Sequence, residues 1–266
     1  VHGDGVEPAQ IEAVRRFNRC YTQRIGVLAE SYLDTGRPLG PSRLLFELGA
    51  GAARVADLRR RLDLDSGYLS RLVRRLEHEH LVTVTRDPAD GRQRIVGLTA
   101  AGQREWARLD ERSARLAIGL VDPLPPRQRA ELATALTTAE RLLRAATVAL
   151  DVVDPRSGDA QWAMSQYFAE LDARFSHGFD PGEGGAAADA VALRGPDGAF
   201  VVLRGDGDVV GCGGVQRVDD ATAEIKRMWI APAWRGLGLA GRLLGRLETI
   251  AREMGRNRVV LDTNES

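Results

Sequence analysis

The run Arg235-Gly-Leu-Gly-Leu-Ala240 stands between a strand-like segment, Ala223–Ile230, and a helical pattern from about 238 to 254. Glycines ahead of a helix free several backbone N–H groups, and the helix start adds the positive end of its dipole. That combination suits a pyrophosphate. A Walker loop is excluded because no Gly-Lys-Ser/Thr follows. A dinucleotide site of the Rossmann kind stays open, with Asp262 lying 24 residues beyond Gly238 as its acidic member. A second cluster lies upstream, where residues 59–75 hold six Arg against Asp63 and Asp65. A helix over 65–79 would bury Leu69, Leu72, Val73 and Leu76 and turn outward Gly67, Ser70, Arg71, Arg74 and His78. Short donors at its start (Ser66, Gly67, Ser70) with Arg71 and Arg74 further along suit base edges in a DNA major groove. Arg86, Arg92 and Arg94 bracket a hairpin tip that would reach phosphate or the minor groove beside that helix.

Other chemistries find no support. Cys20 and Cys212 are too far apart for a disulfide framework, and no Cys-x-x-Cys metal pattern exists. His78 and His80 point to different faces of a helix, so no metal site is expected. Ser176-His177 near Asp180 lacks a nucleophile elbow and reads as loop. The 37 basic and 37 acidic residues cancel, so any attraction for nucleic acid must be local. Only Lys226 among the basic residues is lysine, which leaves guanidinium groups to meet phosphate. With no apolar run of about 18 residues and no basic, apolar leader, a soluble cytoplasmic chain without membrane contact is expected.

The elements that must hold these groups can be read from periodicity. Residues 8–36 read as one long helix, because Ile11, Val14, Asn18, Tyr21, Ile25, Leu28 and Tyr32 step alternately by 3 and 4. Such a seam covers a core or pairs with a second chain. Helices follow at about 42–49, 54–62 and 65–79, then strands Val82–Arg86 and Arg94–Thr99 around an Asp-Pro-Ala-Asp-Gly turn. Helices over 100–120 and 126–146 come next. After Leu150 the texture changes to strand Val148–Val153, helix Asp159–Phe175, a Gly/Ala-rich loop over 178–189, and strands Ala199–Arg204, Val209–Val218, Ala223–Ile230 and Arg258–Thr263. At 266 residues, two domains are expected, 1–146 and 147–266.

Leu69-Ser-Arg-Leu-Val-Arg-Arg-Leu-Glu, Leu81-Val, Asp87-Pro-Ala-Asp-Gly-Arg and Leu98-Thr-Ala-Ala-Gly together resemble the MarR family of winged-helix regulators, over about residues 8–146. The resemblance implies that Arg92 enters the minor groove with Asp90 orienting it, and that the chain dimerises through its terminal helices on a palindromic duplex. One departure is His80, where the family usually carries Gly.

Arg235-Gly-Leu-Gly-Leu-Ala240, with Val210-Gly-Cys-Gly-Gly-Val, Glu224-Ile-Lys-Arg-Met-Trp-Ile-Ala-Pro and Val259-Val-Leu-Asp-Thr, is similar to the GNAT acetyltransferase superfamily over about 147–266. That similarity implies acetyl-CoA, with its pyrophosphate on the N–H groups of Arg235, Gly236, Leu237, Gly238, Leu239 and Ala240 and its pantetheine arm along Met228, Trp229 and Ile230. Glu224, eleven residues before Arg235, takes the position at which some members carry the general base. The superfamily continues past this last strand with a helix that often supplies a Tyr acid. The chain stops at Ser266, so no acid is named and the domain reads as incomplete.

The expected architecture is therefore a mainly α winged helix-turn-helix domain followed by an α/β acyltransferase domain with a mixed sheet. The expected function is DNA binding joined to acetyl transfer from acetyl-CoA to an amine. Two alternatives are a regulator whose second domain only senses acyl-CoA, and an acetyltransferase whose winged helix serves only to dimerise it.

Overall fold

Pro8 in the first turn and the Glu7 N–H on the Gln10 side chain (3.0 Å) start helix α1, Pro8–Arg24. The computed structural model describes residues 5–27, 31–175 and 185–261, with only the backbone of 185–188. The helix stops well short of 36, which corrects the long-seam expectation. Gly26 turns left-handed (φ +67°), the Gly26 N–H returns to Gln23 and the Val27 N–H to Thr22 (both 3.3 Å). This is a Schellman ending, with glycine where an L side chain would strain. Of the expected seam only Ile11, Val14, Asn18 and Tyr21 lie on α1, Tyr32 sits in a 3-10 turn, and Leu28 lies outside the described residues.

Contacts divide the chain into two units, Val1–Glu131 and Leu132–Ser266. The division falls inside a helix, where the sequence reading places its boundary after residue 146. In the first unit α2 (Leu39–Leu48), α3 (Val55–Leu62), α4 (Ser66–His78) and α5 (Ala100–Val121) surround a three-stranded antiparallel sheet. Its strands are β1 (Ala53–Arg54), β2 (Val82–Arg86) and β3 (Arg94–Leu98), in order β1-β3-β2. Leu44, Leu45, Leu58, Leu69, Leu76, Val96 and Leu109 are fully buried, which forces the opposite faces of α4 and the hairpin outward. Removing one such side chain, as in Leu76→Ala, costs about 2–5 kcal/mol. Arg37 ties this unit together, holding Glu79 at 2.7 Å and Glu105 at 2.6 Å.

Helix α6 (Pro126–Ala146) leads into β4 (Ala149–Val153), α7 (Gly158–Arg174), α8 (Gly185–Ala192), β5 (Gly198–Gly205), β6 (Asp208–Arg217), β7 (Thr222–Ile230), α9 (Leu239–Glu253) and β8 (Arg258–Leu261). Helix α8 replaces part of the loop expected over 178–189. Its alanines favour helix without an apolar stripe to announce it. Strand order is β4-β5-β6-β7-β8, antiparallel except for the parallel pair β7/β8 that flanks α9. One face buries Val201, Leu203, Val215 and Ile225 beneath Leu239, Leu243 and Leu247 of α9. The other buries Phe200, Val202, Cys212 and Trp229 against Ala160, Ala163 and Met164 of α7.

Candidate functional sites

The parallel register of β7 on β8 runs from Thr222↔Arg258 to Ile225↔Leu261 and goes no further among the described residues. Beyond it, β7 has only β6 as a strand neighbour among the described residues, and a cleft of about 300 Å³ is lined by Tyr167, Glu170, Leu171, Met228, Trp229, Ile230, Arg235 and Ala240. Met228, Trp229 and Ile230 thus line the cleft from the strand side. A bulge sits at the start of this stretch. Cys212 faces Trp229 but Gly214 faces Lys226, so Gly213 meets both Arg227 and Met228, and Arg227 is left-handed (φ +59°).

At the far end of the cleft, Gly236 and Gly238 are both at φ +75°, and a Cβ built on either meets nothing within 4 Å. Gly238 caps α9 without any side-chain bond, and the first return bond is Arg242 N–H to Gly238 (3.1 Å). The opening N–H groups of α9 therefore have no partner within the helix and no capping side chain. The Arg235 N–H already donates to Pro232 (3.3 Å), so the available donors begin at Gly236, one residue later than expected. Leu237 and Leu239 root the loop in the core. The Arg235 side chain turns inward, with Nε on the Ile230 carbonyl (2.9 Å) and its guanidinium on Glu170. Glu170 also accepts Trp229 Nε1 (2.9 Å). Burial opposes its ionisation, but the hydrogen bonds from Trp229 and Arg235 outweigh that and hold its carboxyl below the usual range.

Glu224 lies across the sheet from Gln216, whose Nε2 donates to its Oε2 at 2.7 Å, with Lys226 Nζ at 3.8 Å. It shares the α7-side face of β7 with Arg227, which pairs with buried Asp189 at 2.7 Å and stacks on Phe168 at 5.1 Å. Sequence reading missed Glu170, Asp189, Gln216 and Arg227, because their partners stand 8 to 65 residues away in the chain. Cys212 is no nucleophile, since burial pushes its thiol up to about 12.

In the first unit, Asp65 caps α4 as expected, accepting the Tyr68 N–H at 2.8 Å. Ser66, Gly67, Arg71 and Arg74 are exposed and Ser70 half-buried. A groove of about 360 Å³ runs between α4 and the hairpin, lined by Ser70, Arg74, Val84, Thr85, Arg86 and Arg94. At the hairpin's base, Asp87 accepts Arg54 (2.7 Å) and the Ala89 N–H (2.8 Å). At the tip, Asp90 accepts the Arg92 N–H (3.1 Å) and Gln93 Nε2 (2.9 Å). Asp90 thus fixes the backbone of Arg92 rather than its guanidinium. Among the described residues, Arg74, Arg92 and Arg94 pair with no carboxylate. Nor is there among them a cluster able to hold a metal, or a helix long and apolar enough to cross a membrane.

Residues 161–266 match the family model described as Acetyltransferase (GNAT) family, and residues 35–93 match that of the MarR family. An IAA acetyltransferase from Azospirillum brasilense is 36% identical over 114 residues, 42% of this chain and 74% of that protein. A MarR family transcriptional regulator from Streptomyces coelicolor, solved in complex with DNA, is 21% identical. The match covers 53% of this chain and 91% of that one, with TM-score 0.44. An acyl-CoA N-acyltransferase structure from Klebsiella pneumoniae is also 21% identical, over 44% of this chain and 71% of that one, with TM-score 0.34.

Proposed function

The chain belongs to the GNAT acetyltransferase family and carries a MarR-family segment ahead of that domain, and from this premise we propose that it binds DNA through its winged helix and transfers an acetyl group from acetyl-CoA to an amine. The observation that carries the second half is the cleft beyond Ile225. There strand residues Met228 to Ile230 line a cleft that also reaches Ala240 in the first turn of α9, whose opening N–H groups have no partner within the helix. Strand residues Met228 to Ile230, which line the cleft, would lie along the pantetheine arm, and the loop from Gly236 to Ala240 suits a pyrophosphate. Bound acetyl-CoA supplies the acetyl group as an activated thioester.

The chain's own task is to deliver a neutral amine. An ordinary alkyl ammonium titrates near about 10.4, so a carboxylate must take its proton, directly or through water. Glu224 has that role, with the Gln216 amide holding its carboxylate in place. Glu224→Gln keeps the shape and removes the base. The expected loss is about 10²–10⁴ in kcat with acetyl-CoA affinity unchanged. Full activity in the variant would assign the proton to another group. Tight acetyl-CoA binding without turnover by the wild type on any amine would favour a sensor.

On the DNA side, Ser66, Gly67, Ser70, Arg71 and Arg74 would meet base edges and phosphates in the major groove, while Arg92 enters the minor groove and Arg94 meets phosphate. Six Arg within residues 59–75 supply the local positive field that a chain of zero net charge otherwise lacks.

A further inference from the structure

Helix α6 ends before the segment matched by the acetyltransferase family model begins, yet its last two turns are fastened to the Gly-rich loop. Arg242 donates to the carbonyls of Ala145 (2.6 Å) and Val148 (2.7 Å), at the end of α6 and just beyond it. Arg144 stacks on Trp234 at 4.7 Å and pairs with Asp206 at 2.6 Å. One turn earlier, Arg141 Nη2 donates to the Arg235 carbonyl at 3.1 Å.

These guanidinium groups differ in what remains of their charge. Arg144 is neutralised by Asp206, and by Glu140 at 3.7 Å. Arg242 spends both ends of its fork on carbonyls. Arg141 pairs with no carboxylate among the described residues and keeps most of its donors. The carbonyl it holds belongs to the same peptide unit as the Gly236 N–H, the first open donor of the loop. A cation on the carbonyl oxygen polarises that unit and strengthens its N–H as a donor.

We infer that Arg141 is a positioning residue of the acyl-CoA site, acting on the pyrophosphate through the 235–236 peptide and through its unpaired charge. This rests on the acyl-CoA reading above. Arg144 and Arg242 keep the end of α6 in place, and Arg141 supplies the electrostatic component. The loop is therefore assembled from both sides of the matched segment's beginning.

The test compares equilibrium binding of acetyl-CoA, 3′-dephospho-CoA and pantetheine to the wild type and to Arg141→Ala and Arg141→Lys. Arg141→Ala should lose about three- to tenfold in affinity for both phosphorylated ligands, with a shallower salt dependence. Pantetheine affinity should stay unchanged, and Arg141→Lys should recover part of the loss. Equal weakening toward pantetheine would show a merely structural role and overturn the inference. So would unchanged acetyl-CoA affinity, or a loss seen with acetyl-CoA and absent with 3′-dephospho-CoA. Failure of the wild type itself to bind acetyl-CoA would instead overturn the acyl-CoA reading, and the inference with it.

Discussion

At His80 the backbone turns left-handed, φ +56°, so that α4 can end, with the His80 N–H on Glu77 and the Leu81 N–H on Leu76, both at 2.9 Å. This is the Schellman position, and it explains why a glycine is the usual occupant. An L side chain there costs about 1–2 kcal/mol, and glycine avoids it at the expense of about 0.5–1 kcal/mol of chain entropy. His80→Gly should therefore stabilise the protein by about 0.5–1 kcal/mol, read as a higher urea midpoint at constant slope. A lower midpoint would mean that the imidazole makes contacts worth more than the strain. Arg92 is the opposite kind of residue, unpaired and exposed at a tip whose backbone Asp90 fixes. Arg92→Ala should leave stability alone and cost about 1–3 kcal/mol of DNA affinity. Unchanged binding at physiological salt would remove Arg92 from the interface.

Among the elements, the turn into α9 depends most on backbone conformation. A Cβ at Gly238 would meet no protein atom, so no packing forces glycine there, but φ +75° does, and the space left free is where an anion would sit. Gly238→Val puts a β-branched residue into that conformation and should abolish acetyl-CoA binding while sparing DNA binding. Calorimetry showing undiminished affinity would exclude this loop as the phosphate site. The same turn was legible in the sequence because Gly-x-Gly before a helical stripe is a local signal, as were α4, its Asp65 cap and the β2/β3 hairpin. What escaped is of two kinds. Gly26 is a helix-ending signal, and its left-handed turn outweighs the apolar periodicity that continues past it. The bulge at Arg227, the Gln216–Glu224 pair and the Arg235–Glu170 pair depend on which residues of neighbouring strands and helices stand opposite one another, and no spacing along the chain encodes that.

At the scale of the whole molecule, α1 is a helix of 17 residues with no buried side chain. Ile11, Val14, Phe17 and Tyr21 are 42–62% exposed, and Phe17 stacks on Tyr21 at 5.5 Å. An isolated helix near this length is marginal in water, and most helical stability comes from packing an apolar face. A single chain leaves that face open, and Leu142 and Leu143 on α6 are also exposed, at 56% and 60%. Exposed apolar side chains grouped on one helix point to a partner surface. We propose that a second copy of the chain covers it. A homodimer would also place two α4 helices about 34 Å apart, matching one turn of a palindromic duplex. Sedimentation at micromolar concentration should then give a dimer. Val14→Asp with Phe17→Asp should shift it toward monomer and weaken binding to a palindromic duplex, with a shallower salt dependence because fewer phosphates are met. Acetyl-CoA affinity should be unaffected, since none of its proposed contacts lies on α1. A wild-type protein that sediments as a monomer while binding the duplex at full affinity would refute this assembly and leave the exposed face of α1 to some other partner.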